Sequence, residues 1–145
     1  MILKTPQCTD IMTLTETPAL NDLRQWWETR QADPDSTLAF TDEAPQNFAE
    51  LLDRIHSGDY LFFLAYVGDR VAGAMWLHDI VYDAEGAPQA GWLGTYVLPE
   101  HRGRHTTHTM WRLAYEALTG LGVQSLYIAS HHANTRAHAV AERHL

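Results

Sequence analysis

The residues best suited to chemistry lie in one stretch, Val97-Leu98-Pro99-Glu100-His101-Arg102-Gly103-Arg104-His105-Thr106-Thr107. It joins an apolar run of strand character to a long amphipathic run. A turn feeding a helix presents N–H groups that have no acceptor within the helix. The helix dipole adds about half a positive charge at that end. Arg102 and Arg104 add more, so an anion such as a pyrophosphate is a fitting ligand. The plainer alternative is a helix start with surface arginines. The flanking strand and helix favour phosphate binding.

Histidine is abundant, at nine of 145 residues. His101, His105 and His108 are spaced four and three apart, a pattern able to hold zinc on one helical face. His101 follows Pro99-Glu100, before the helix begins, and no cysteine lies near. The expectation is therefore no metal. His131-His132 follow a strand and bring an imidazole within the pKa range of a proton carrier. Asp79, Asp83 and Glu85 stand near the end of a hairpin strand, where carboxylates are either solvated or attract a cationic amine. Trp26, Trp27, Tyr60, Phe62, Phe63, Trp76 and Trp92 are expected in the core rather than in a substrate box.

The elements that must position these groups follow from pattern. Ile2 to roughly Gln7 predicts a short strand. Thr17-Pro18 is a helix start, with Leu20, Leu23 and Trp27 on one face to about Gln31. Residues 33–45 read as a loop, and Phe48, Leu51, Leu52 and Ile55 as a second helix closed by Ser57-Gly58. Tyr60–Val67 and Arg70–Tyr82 flank the turn dipeptide Gly68-Asp69 and predict a hairpin. Gly91–Leu98 is a third strand of that group, stopped by Pro99. Met110, Leu113, Ala114, Ala117, Leu118 and Leu121 keep a helical period, with Gly120 and Gly122 at its end. Val123–Ser130 reads as a buried strand, and Asn134 as the cap of a last helix to Leu145. The fold class is α/β (α+β): a mixed central sheet, antiparallel in the hairpins, with a parallel right-handed strand–helix–strand unit over 91–130.

Composition narrows the function. Ten basic against 18 acidic residues give a net charge of −8, which disfavours nucleic acid. Apolar residues at 46% argue against disorder. The one cysteine, Cys8, allows no internal disulfide and suits a reducing compartment. Neither a signal peptide nor an apolar run of about 20 residues is evident. The expectation is a soluble, cytoplasmic domain with no membrane partner.

The motif Val97 to Arg104, between strand and amphipathic helix, resembles the acetyl-CoA-binding motif of GCN5-related N-acetyltransferases (GNAT). Asn134-Thr135-Arg136-Ala137, opening a helix after the next strand, resembles that family's second signature. The element order also matches, over essentially the whole chain. The resemblance implies direct transfer of acetyl from acetyl-CoA, as cosubstrate, to a primary amine. It implies that backbone groups of Val97, beside Leu98, pair with the pantetheine arm. It gives the backbone of Arg102, Gly103, Arg104, His105, Thr106 and Thr107 to the pyrophosphate, and Asn134 to the pantetheine near the thioester. A backbone N–H of strand 91–98 would stabilise the charge developing on the thioester oxygen.

This chain departs from the pattern in three places. His105 stands where the family has Gly, and Thr107 where it has Gly or Ala. Ala141 stands where the family often has a Tyr acid. The chain also ends at Leu145, where the family continues with further strands. The expectation is a single domain over 1–145 lacking the final strands, with an exposed edge that invites a homodimer. For the base, His131 is the first candidate, and His78 or Asp79 acting through water the second. Tyr96 is the candidate acid, or else His138. The acceptor is a small-molecule or peptide amine, selected by residues 15–45 and 78–90. The alternative is a CoA-binding or regulatory module without transferase activity.

Overall fold

The computed structural model describes residues 1–4, 18–33 and 44–128. The elements run β1 (Ile2–Lys4), α1 (Pro18–Ala32), α2 (Phe48–Ser57), β2 (Leu61–Val67), β3 (Arg70–Tyr82), β4 (Pro88–Val97), a 3-10 turn (Pro99–His101), α3 (Thr106–Gly120) and β5 (Ser125–Ile128). The predicted order is thus found throughout the described residues. The predicted last helix, with Asn134 as its cap, and the cap at Thr17 lie outside them.

Local chemistry accounts for the boundaries. Asn47 stands in extended backbone before α2, and its side chain accepts from the Glu50 N–H at 2.9 Å. Glu50 reaches back to accept from the Gln46 N–H at 2.6 Å, so two free amides at the helix start are satisfied reciprocally. The β3–β4 turn is closed by Asp83, whose Oδ1 accepts from the amides of Glu85 and Ala87, both at 2.9 Å. That closure brings the chain back early. β4 therefore begins at Pro88, not at Gly91.

The sheet has the strand order β1-β2-β3-β4-β5 among the described residues. β1 to β4 pair antiparallel, and β4 pairs parallel with β5. Alternation along the strands divides the core into two layers. Phe62, Leu64, Ala74 and Tyr96 join Leu23, Trp26, Leu51 and Ile55 from α1 and α2 on one face. Phe63, Met75, Leu77, Leu93 and Val97 join Met110, Trp111, Ala114 and Leu118 from α3 on the other.

Two expectations are corrected. β5 is not a buried strand: its exposure alternates, with Leu126 and Ile128 turned to the α3 layer and Tyr127 half exposed. Leu121 does not belong to the buried face of α3. It is the C-cap residue and is 48% exposed, while Trp111 takes the burial that periodicity assigned elsewhere.

Candidate active site

The sheet prepares one backbone edge. Leu98 N–H donates to Ala72 O, and Tyr96 lies opposite Ala74. Residues two apart share a direction, so the backbone groups of even-numbered residues in β4 point to β3. Those of Gly91, Leu93, Thr95 and Val97 point the other way, as Gln89 O does in accepting from the Gln124 N–H. Among the described residues the β4–β5 ladder ends at Leu93↔Ile128. On that outer side no strand pairs with Thr95 or Val97 among the described residues, which end at Ile128, and Val97 O accepts from Arg102 Nε at 3.0 Å, which leaves the Thr95 and Val97 N–H groups facing outward.

Gly94 directly precedes Thr95 on that strand. A Cβ there would lie 2.3 Å from Cε2 of Trp76, so glycine is what lets the indole lie across the strand. Just past the edge the chain turns into α3. Gly103 (φ 75) and His105 (φ 60) both adopt left-handed backbone. Among the described residues, none of the backbone amides of Gly103, Arg104, His105, Thr106 and Thr107 donates to a backbone carbonyl. They form a run of donors at a helix N-terminus, with the Arg104 side chain exposed beside them. His101 sits in the 3-10 turn, His105 is the N-cap and His108 lies inside α3, so the three share no helical face. No group of three His, Cys, Asp or Glu able to hold a metal ion occurs among the described residues.

His105 pays for its place in the turn with backbone strain. Left-handed backbone costs a non-glycine residue about 1–2 kcal/mol. Its exposed imidazole makes no hydrogen bond or ion pair among the described residues that would be lost on truncation. His105→Gly is expected to raise stability by about 0.5–1 kcal/mol, after the flexibility glycine gives the unfolded chain is subtracted. The measurement is a higher urea midpoint at unchanged slope.

Arg102 and Tyr96 are committed elsewhere. Arg102 Nη2 donates to Asp33 Oδ2 at 3.0 Å and Nε to Val97 O at 3.0 Å, with the guanidinium 5.2 Å from the Tyr96 ring. The Arg102 N–H donates to Pro99 O. This arginine therefore braces the turn rather than lending a free charge to it. The Tyr96 hydroxyl donates to the same Asp33 Oδ2 at 2.6 Å. Burial first, then the bond to Asp33, pushes its pKa up to about 12. The ring lies in the α1–α2 layer, and its proton is held by a carboxylate.

Asp79 has a different setting. It breaks the β3–β4 register as a bulge between His78 and Val81, in left-handed backbone (φ 49). Its Oδ2 lies 3.0 Å from Nδ1 of His78. Both line a pocket of about 540 Å³ with Arg54, Asp59, Tyr60, Ile80 and Tyr82. Of these, Arg54 and Asp59 carry no sequence signal of their own, while the sequence assigns Tyr60 to the core and Tyr82 only to the stretch 78–90. Asp33, which joins Tyr96 to Arg102, was equally silent.

The acetyltransferase (GNAT) family model matches residues 20–145. The chain belongs to the GNAT acetyltransferase family. Its fold is shared with solved members. A spermidine N-acetyltransferase from Vibrio cholerae, in complex with CoA and spermine, aligns at TM-score 0.69 and 20% identity over 85% of this chain and 73% of that one. The N-acetyltransferase PseH of Campylobacter jejuni, in complex with acetyl coenzyme A, aligns at TM-score 0.64 and 15% identity over 99% and 85%. The GNAT domain of S. lividans PAT aligns at TM-score 0.64 and 16% identity over 86% and 75%. A search of curated protein sequences finds no match.

As a GNAT chain, the protein brings together most of the residues the sequence singled out. Val97, Leu98 and the turn from Arg102 to Thr107 are contiguous and carry the outward backbone edge and the amide run. Tyr96 meets that turn only through Arg102, with which it shares Asp33, and Asp79 lines the separate pocket. His131, Asn134, His138 and Ala141 lie outside the described residues. No helix among the described residues is long and apolar enough to cross a membrane.

Proposed function

We propose that this acetyltransferase acts on a small-molecule primary amine, in a reducing cytoplasm, with acetyl-CoA held along β4 and at the start of α3. The observation that carries the reading is the run of backbone amides from Gly103 to Thr107 directly after the outward-facing backbone of Thr95 and Val97. An amide run at a helix N-terminus suits a pyrophosphate, and the outward N–H groups of Thr95 and Val97 suit an amide-bearing arm. Acetyl-CoA would supply the activated acyl group. This chain's residues would hold and orient it: the amides and Arg104 at the phosphates and Val97 along the arm, with Asn134, outside the described residues, assigned to the pantetheine by the family resemblance alone. The Thr95 amide, on the same edge, is the donor suited to charge developing on the acyl oxygen.

The acceptor class follows from charge. The chain carries a net charge of −8, and the basic turn at its cosubstrate end makes the remainder more acidic still. Nothing in that balance favours a nucleic-acid partner. Relatives of the same fold include a spermidine N-acetyltransferase and an aminoglycoside acetyltransferase, which supports a small amine acceptor.

The test is calorimetric titration with acetyl-CoA, followed by thiol release over a panel of amines. Wild type is expected to bind acetyl-CoA, and Arg104→Ala to bind it roughly 3- to 10-fold more weakly with a smaller salt dependence. Unchanged affinity in Arg104→Ala would remove this arginine from the phosphate site. Binding without thiol release for any amine would favour a CoA-binding module instead.

A further inference from the structure

The pocket at the β3 bulge is a built site, and three observations converge on it. The first is a row of side chains across the face that α1 and α2 cover. Strand register sets His78 opposite Trp92, and Trp92 opposite Tyr127. The Tyr60 ring stands 6.1 Å from that of His78, and Trp92 and Tyr127 stand 5.4 Å apart. The row crosses β4 at Trp92, only three residues before Thr95, or about 10 Å along the strand. The row thus leads from the pocket wall at Tyr60 and His78 to the strand that carries Thr95.

The second observation is the His78–Asp79 pair. A carboxylate only accepts, so in the neutral ring the nitrogen facing Asp79 carries the N–H and Nε2 is the proton acceptor. The pair exists because a bulge and a left-handed Asp79 turn the carboxylate back onto its neighbour. The His78 side chain is only 19% exposed, so the ring is held rather than loose.

The third is the charge around the ring. Arg54 is occupied with the Tyr60 hydroxyl at 3.0 Å and lies over its ring. The Tyr82 hydroxyl is bound to Gly58 O. Asp59 has no side-chain hydrogen bond or ion pair among the described residues. Its charge is felt by Tyr82, whose pKa is raised chiefly by burial and then by Asp59. The groups facing the pocket are thus one engaged cation, two carboxylates, an imidazole and two phenols.

We propose that this pocket is the acceptor site, that it takes a primary amine carrying a second positive charge, and that His78 is the proton acceptor for the reacting amine. The inference rests on the transferase reading above. Nε2 of His78 takes one proton from the acceptor's ammonium group, which frees the nitrogen lone pair. The nitrogen forms the new C–N bond to the acetyl carbon as the C–S bond breaks. The electron pair leaves on sulfur, and the amine's remaining surplus proton passes to solvent. The proton held by His78 returns to sulfur to give the thiol. Asp79 positions the imidazole, and Asp59 holds the charge that stays on the acceptor. His131, the base suggested by sequence, has no part in this assignment.

The test uses 1,4-diaminobutane and n-butylamine as paired probes on the full chain. Titration calorimetry without acetyl-CoA is expected to show the diamine binding at least tenfold more tightly than the monoamine. Asp59→Asn is expected to abolish that preference while acetyl-CoA affinity is unchanged. His78→Gln is expected to lower kcat for the diamine roughly 100-fold. It should also remove the ascending limb of the pH–rate profile, with both binding affinities kept. Asp79→Asn should shift that limb and lower kcat, with KM unaltered. A chain that binds acetyl-CoA but shows equal affinity for the two amines, or a preference that survives Asp59→Asn, overturns the site and leaves the transferase reading intact. A profile flattened by His131→Ala and not by His78→Gln overturns the proton-acceptor assignment. A chain that binds no acetyl-CoA overturns both readings.

Discussion

Asp33→Ala is expected to weaken acetyl-CoA binding about tenfold and to cost about 2 kcal/mol of stability, although Asp33 stands at the end of α1 and outside the turn proposed for the phosphates. Its Oδ2 accepts from the Tyr96 hydroxyl at 2.6 Å and from Arg102 at 3.0 Å. Removing one member of a buried pair costs about 3–5 kcal/mol, because a charge is left uncompensated. Arg102 keeps 28% of its side-chain surface in water, which reduces the figure to about 2 kcal/mol. The same guanidinium bonds Val97 O, so it ties the last residue of β4 to the turn that carries the amide run. Once Asp33 is gone, the guanidinium is free to swing away, and the donors at 103–107 lose their fixed relation to the β4 edge. A tenfold loss corresponds to about 1.4 kcal/mol of that ordering. Tighter acetyl-CoA binding in the variant would show instead that Asp33 withholds Arg102 from the phosphates.

Tyr96 gives the same experiment a pH signature. Its folded pKa, raised to about 12 by burial and then by Asp33, exceeds the ordinary value of 10. Its contribution to stability is therefore complete below pH 10 and is lost as pH rises through 12. Asp33→Ala removes the carboxylate part of that rise and leaves burial. The urea midpoint between pH 9 and pH 11 should fall less in the variant than in wild type.

What the sequence disclosed depended on how close together the relevant residues lie. The turn proposed for the phosphates is eleven consecutive residues from Val97 to Thr107, so its place between strand and helix could be read directly. The hairpins were marked by turn dipeptides, and α3 by its apolar period. Asp33 pairs with residues 63 and 69 positions away, and no spacing rule links them. Tyr96 looked like a candidate acid because of its position on β4. Strand alternation put it on the α1–α2 face, and α1 supplied the carboxylate that holds its proton. The pocket was hidden for a second reason: His78 and Asp79 are adjacent, and adjacent residues in a regular strand face opposite sides. Only the bulge at Asp79 lets both line one pocket, and a bulge leaves no pattern in composition or period.

Trp26→Ala is expected to be the most destabilising single change in the described core, at about 3–5 kcal/mol. Trp26 is 1% exposed, and its ring meets those of Phe62, Trp76 and Tyr96 edge-on at 5.2, 5.5 and 6.1 Å. Its Nε1–H donates to Tyr96 O at 3.1 Å. The indole thus contributes apolar burial, three edge-to-face contacts and a bond to the backbone of β4. Alanine removes all of these and leaves a cavity in a layer whose other aromatics are already stacked: Phe62 lies on Trp76 at 5.8 Å and 14°. Trp76 is in turn pinned against Gly94, so it cannot collapse into the gap without moving the strand that carries the open edge. A domain stable by about 5–15 kcal/mol loses a large share of that margin. Trp26→Phe separates the contributions, since it keeps a ring and loses the donor. It is expected to cost about 1–2 kcal/mol, with acetyl-CoA binding retained. If Trp26→Phe proves as costly as Trp26→Ala, the bond to Tyr96 O, rather than packing, is what holds α1 to the strand that bears the site.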